Sequence, residues 1–152
     1  MAELRQLLVR LDHDHFDAIV RASPKRFREE VFRRAGIRNR GSSTFSLKPS
    51  SKVEARVKRL QEALGSGLQL TDEVLEELVR NYMYTRRDLL AEALDFFEVK
   101  HDHGLTNEDL DFMGELPPEK IASLRDVLCR NHEVRDVDLY LRFMNIPTSE
   151  SA

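Results

Sequence analysis

Four of the five histidines fall in two identical triplets, His13-Asp14-His15 and His101-Asp102-His103. Imidazole nitrogens and carboxylates bind zinc and other borderline metals. The two triplets can therefore be taken as halves of one metal site, with His13, His15, His101 and His103 as ligands. The spacing works against this. Residues two apart on an α-helix point about 200° away from each other, so neither pair can chelate from a helix. Both triplets would have to be turns, and the two turns would have to meet. The sequence lacks the cysteines and fixed spacings of structural zinc sites, and the His-Glu-x-x-His of catalytic ones. The competing expectation is two polar junctions, with Asp12 or Asp14, and Asp102 with Thr106, as caps. A calcium loop centred on Gly104 fails, because it puts Val99 and Leu110 where carboxylates are required.

Phosphate recognition is the second chemistry to weigh. Residues 21–60 carry thirteen basic and three acidic side chains, a net of +10, whereas residues 61–152 carry nine basic and twenty acidic, a net of −11. Clustered arginine and lysine neutralise a nucleic-acid backbone and release its counterions. The candidates are Lys25, Arg26, Arg33, Arg34, Arg38 and Arg40, followed by Lys52, Arg56 and Arg59 at helical spacing. Phe45 is the only aromatic in the stretch between them, so base stacking has little support. Fourteen irregular residues between the two most basic helices are too many for a helix-turn-helix. The plain alternative is that this basic surface balances the acidic remainder of the chain.

A protein partner is the third. Val53, Val57, Leu60 and Leu64 recur at four, three and four residues, the narrow seam of a coiled-coil contact. Such a seam suits a partner helix or a second copy of the chain, although a core helix gives the same pattern.

Catalysis has few carriers. Cys129 stands three residues before His132, but no third group completes a nucleophile constellation. There is no Gly-x-Ser-x-Gly, phosphate-binding loop, dinucleotide fingerprint or kinase set. The carboxylate pairs Glu76-Glu77 and Asp109/Asp111 look like solvated helix faces rather than acid–base pairs in unlike surroundings.

The elements that must position these residues are helical. Leu4, Leu7, Leu8 and Leu11 mark one apolar face, and Phe16, Ile19 and Val20 a second. Ser23-Pro24 suggests a cap with proline at the first helical position, and Gly36 a left-handed stop. Ser51 and Glu54 form a capping box. Thr71 caps a helix with Val74, Leu75, Leu78, Val79, Tyr82 and Met83, and Thr85 restarts the chain into Leu89, Leu90, Ala93, Leu94 and Phe97. Thr106 is expected to cap a short helix ended by Gly114. Pro117-Pro118 opens another, and Asp136 the last. "LTDEVLEEL" and "LTNEDLDFM" start thirty-five residues apart, a faint echo of stacked helix pairs.

The expected fold is all-α, with eight or nine short helices in an irregular orthogonal array and helix hairpins as an alternative. No sheet is expected beyond a stray pair. One domain over 1–147 is anticipated, or subdomains 1–40 and 51–147 joined by loop 41–50, with 148–152 frayed. One cysteine allows no intrachain disulfide. The first residues lack the apolar core of a signal peptide, and no window approaches a membrane span. These features point to a non-enzymatic cytoplasmic interaction or regulatory protein of the adaptor type. Its expected partner is a protein or a second copy, with no cofactor, membrane or small-molecule substrate. The alternatives are a nucleic-acid-binding accessory protein using 25–59 and a metal-binding protein using the two triplets.

Overall fold

The computed structural model describes residues 2–37 and 49–146. These form eight α-helices: α1 Ala2–Arg10, α2 His13–Arg21, α3 Lys25–Arg34, α4 Pro49–Gly65, α5 Asp72–Met83, α6 Arg87–Phe96, α7 Pro118–Asn131 and α8 Val134–Phe143. A 3-10 helix, Asp111–Glu115, lies between α6 and α7. Among the described residues there is no strand, only an isolated antiparallel bridge between Asp102 and Leu105. The fold is all-α.

The chain divides into two compact units, Met1–Tyr82 and Met83–Ala152. This is not the division anticipated at 41–50, a stretch whose first eight residues lie outside the described ones, as does the expected frayed tail 148–152. The reason is packing. Helix α4 lies against α1 and α2, so the helices on either side of 41–50 share one core.

In the first unit, Leu4, Leu8, Phe16, Ile19, Val20, Val57, Leu60 and Leu64 are all buried. Full burial of each such side chain contributes roughly 1.5–3 kcal/mol relative to exposure. Polar groups then settle the helix ends. The Gln61 side-chain amide donates to the carbonyls of Leu8 (3.2 Å) and Leu11 (2.8 Å), which have no intrahelical donor at the end of α1. Arg5 donates to the Leu64 carbonyl at 3.0 Å, doing the same for the last turn of α4. Helix α3 ends as its glycine suggests: Gly36 has φ +74°, and the Ile37 N–H reaches back to the Phe32 carbonyl at 2.8 Å.

Local signals elsewhere met mixed outcomes. Thr71 caps α5, its hydroxyl accepting from the Val74 N–H. Ser23 does not cap α3. It is buried and accepts from the Asn81 amide at 3.0 Å, while Pro24 occupies the cap position. Helix α4 starts at Pro49, two residues before the serine of the expected capping box. Arg86 rather than Thr85 stands at the cap position of α6, without a side-chain cap bond. Helix α8 begins at Val134, which places Asp136 in its first turn.

The second unit packs α7 against both α6 and α8. Met113 in the 3-10 helix is fully buried, and the buried Tyr140 hydroxyl donates to its sulfur at 3.9 Å. Burial pushes the Tyr140 phenol above its ordinary value, because a phenolate there would lose its hydration. The expected α-helix after Thr106 is not formed. Thr106 Oγ1 instead donates to the Lys100 carbonyl at 2.7 Å and accepts from the Glu108 N–H, holding a loop. The thirty-five-residue echo therefore pairs an α-helix with a loop that runs into the 3-10 helix, and is no structural repeat.

Candidate partner-binding surface

The apolar seam is spent inside the chain. Val57 and Leu60 have no exposure and Leu64 has 2 %, while Val53 is half-buried. They face α1 and α2 within the first unit. A partner could reach them only by displacing those helices, so the seam expected to make an intermolecular contact is ordinary core. The spacing is that of a helix, but period alone does not distinguish a neighbour in the same chain from one in another.

The basic segment is split by its own carboxylates. Arg56 is 7 % exposed, forms a two-pronged ion pair with Glu29 and lies 4.2 Å over the Phe32 ring. Its guanidinium hydrogen bond, opposed by partial burial, holds the Glu29 carboxyl below its usual range. Arg56 is thus an internal strut joining α3 and α4, not a phosphate ligand. Arg33 and Arg34 share Glu30 on the surface of α3. Lys25, Arg26 and Arg59 are exposed. Arg38 and Arg40 lie outside the described residues, as does the Lys52 side chain.

The two histidine triplets serve different local structures. Asp12 caps α2, its carboxylate accepting from the His15 N–H at 2.8 Å. His13 and His15 therefore occupy the first turn of a helix and diverge. His15 is 1 % exposed and meets the Tyr82 ring edge-on at 5.4 Å, while His13 lies 3.9 Å from Glu54. In the second triplet, His101 Nδ1 accepts from the Gly104 N–H at 3.0 Å, which leaves Nε2–H to donate to Asp95 at 2.7 Å. His103 projects into solvent with 85 % of its side chain exposed. Among the described residues, no group of three or more His, Cys, Asp or Glu side chains is placed to hold a metal ion.

His132 also has a partner that its sequence neighbours do not suggest. Its Nε2 lies 2.8 Å from Glu92, and Asn131 donates to the other oxygen of that carboxylate. No hydrogen bond joins Cys129 to His132 among the described residues. His132 lines an open groove of about 330 Å³ with Tyr84, Arg86, Arg87 and Asp88.

The surface that sequence reasoning missed lies in the second unit. Phe96 and Phe97 meet edge-to-face at 5.0 Å, and Phe97 meets Phe112 in the same way at 5.3 Å. Phe112 is 39 % exposed although its neighbour Met113 is fully buried. The 3-10 segment explains both. Its tight turn sends adjacent side chains in different directions, and Met113 anchors it under Tyr140. Asp95, Glu98, Asp109, Asp111 and Glu115 around these rings in sequence are all exposed. A signal was present, since "DFFEV" and "DFMGE" both set aromatics among carboxylates. Helical periodicity assigned Phe97 to a core and gave Phe112 no role. The chain matches no family model, no curated protein and no solved structure.

Proposed function

We propose that this is a non-enzymatic helical interaction protein, of the regulatory or adaptor type and acting in the cytoplasm, whose partner is another protein. One observation carries this reading. The second unit presents a connected aromatic string that ends in a 39 % exposed phenylalanine, held by a fully buried anchor beside it. Aromatic side chains that stay exposed in a rigid setting are what interfaces bury, and they dominate interface energetics. The test is affinity capture from cell extract with wild-type protein and Phe112→Ser, followed by purification of the captured protein and calorimetry against both. A stoichiometric complex with the wild type supports the reading. Recovery of no protein that rebinds in purified form overturns it.

A second reading keeps nucleic acid as the partner. It is favoured by Lys25, Arg26 and Arg59, which are exposed and have no ion-pair partner among the described residues. Phosphate contacts make retention strongly salt-dependent. Lys25→Ala with Arg26→Ala should then reduce the salt slope on duplex or single strands. No retention at low salt removes this reading.

A further inference from the structure

We propose that the Phe96–Phe97–Phe112 surface docks a lysine- and arginine-rich segment of a partner protein, one that carries apolar side chains along one face. The inference rests on the protein-interaction reading above and names the chemistry of its partner. Three observations support it.

The first is charge. Residues 95–115 hold seven carboxylates against a single lysine, Lys100. Asp95 and Glu98 bracket Phe96 and Phe97, and Asp111 precedes Phe112. This field attracts a cationic partner and repels nucleic acid and anionic lipid alike.

The second is that the chain already satisfies part of this surface in the proposed way. The Lys120 ammonium sits 5.1 Å over the Phe96 ring. An aromatic face backed by carboxylates holds a cation through the ring quadrupole and through longer-range attraction together. Phe112, at the other end of the string, has no cation over it among the described residues. A partner's lysine or arginine would extend the pattern that Lys120 begins.

The third is rigidity. Phe97 is gripped between two rings, and Phe112 is fixed through Met113 and Tyr140. A platform that does not reorganise loses little conformational entropy on binding. The apolar face of an amphipathic segment would cover the rings while its basic flanks meet the carboxylates.

The chain's own basic stretch could in principle supply such a segment from a second copy. That contact would join unlike surfaces head to tail and propagate into an open filament unless it closed into a ring. A separate protein forms a finite complex with the same chemistry, and we take it as the occupant.

The experiment uses the full chain and synthetic peptides of about five helical turns. One is basic with leucine and tryptophan on a single face. A second has the same composition with its apolar residues dispersed, and a third replaces each basic residue with glutamate. Amide NMR titration at low salt should shift signals of residues 95–115 with the first peptide. Affinity should fall about tenfold with the dispersed peptide and with Phe112→Ser, and several-fold with Asp109→Asn plus Asp111→Asn. The glutamate peptide should not bind. Melting and circular dichroism verify that each variant folds, and Val134→Ser, at an exposed apolar position outside 95–115, serves as the control that should leave affinity unchanged.

Equal affinity for the ordered and dispersed peptides, or shifts confined elsewhere, overturns the proposal. So does concentration-dependent self-association that Phe112→Ser abolishes, because the occupant is then a second copy. If a captured natural partner binds Phe112→Ser as tightly as wild type, this surface is the wrong one while the interaction reading stands. If no partner rebinds at all, the broader reading fails.

Discussion

The same three residues occur twice in this protein and do opposite things. At 13–15 they are the first turn of a helix, and at 101–103 they lead into a reverse turn. In the first copy Asp12 stands before the triplet and caps it, and Phe16 follows into the core. In the second, Gly104 follows. His103 and Gly104 both have positive φ, +50° and +88°, and Asp102 and Leu105 exchange backbone hydrogen bonds at 2.8 and 3.0 Å. Positive φ at both central residues is the signature of a type I′ turn. The triplet itself carries almost no conformational information. Its neighbours decide, through a cap on one side or a glycine on the other. Chemistry follows from this: one histidine becomes core, one ties its own turn to Asp95 in α6, and the others meet solvent or a distant carboxylate.

That comparison can be broken by substitution, and the largest effect should come from Gly104. A Cβ at this position would lie 2.8 Å from Leu90 Cβ and 2.9 Å from the Arg87 carbonyl oxygen. Gly104→Ala should therefore cost about 3 kcal/mol in urea unfolding, from backbone strain and overpacking together. An unchanged midpoint would show that the second triplet does not depend on its glycine.

The histidines should separate next. His15→Ala removes a buried ring packed on Tyr82 and should cost about 2 kcal/mol, whereas His103→Ala should stay within about 0.5 kcal/mol. Similar losses for both would contradict the assignment of one to the core and the other to solvent.

Asp12→Ala should cost about 1 kcal/mol by orphaning the His15 N–H at the start of α2. Asp102→Ala, at a residue whose side chain is 92 % exposed, should be close to neutral by thermal melting. If the two aspartates prove interchangeable, the cap is not what distinguishes the copies.

The smallest effect sharpens the same lesson with two adjacent glutamates. Glu29 faces the buried Arg56, while Glu30 pairs with Arg33 and Arg34 in solvent, and both carboxyls are held below their ordinary value of 4.5. A lowered native value means that the unfolded chain takes up protons first. Each glutamate therefore contributes stability above about that pH, and loses it as the pH falls through the lower folded value. Salt screens exposed pairs far more than shielded ones. Melting curves across the acid range should show Glu29→Gln flattening the acid limb at both low and high salt. Glu30→Gln should do so only at low salt. Equal salt sensitivity would mean that Arg56 shields nothing.

Much of the helical frame was readable because its signals are local. The apolar spacing of Leu4/Leu8, Val57/Leu60/Leu64 and Val74/Leu75/Leu78 follows the period of the helix itself. Gly36 and Pro118 mark boundaries through φ and the missing N–H, properties of a single residue. Where a signal had more than one outlet, it misled. Ser23 can cap a helix or accept from Asn81, fifty-eight residues away, and only the approach of α5 settles which. Thr106 has the same choice and bonds back across its own loop.

The sequence by itself determined an all-helical chain, its apolar periodicities and the segregation of its charge, since these depend on residue type and on near neighbours along the backbone. Tertiary structure alone decided that the Val57 seam is core, that Arg56 is a strut, that the boundary between units falls after Tyr82, and that Phe112 is held outward. The physical reason is common to all four. Hydrophobic burial and charge pairing are nondirectional and do not record which surface will cover a side chain. That is settled only when helices distant in sequence pack together.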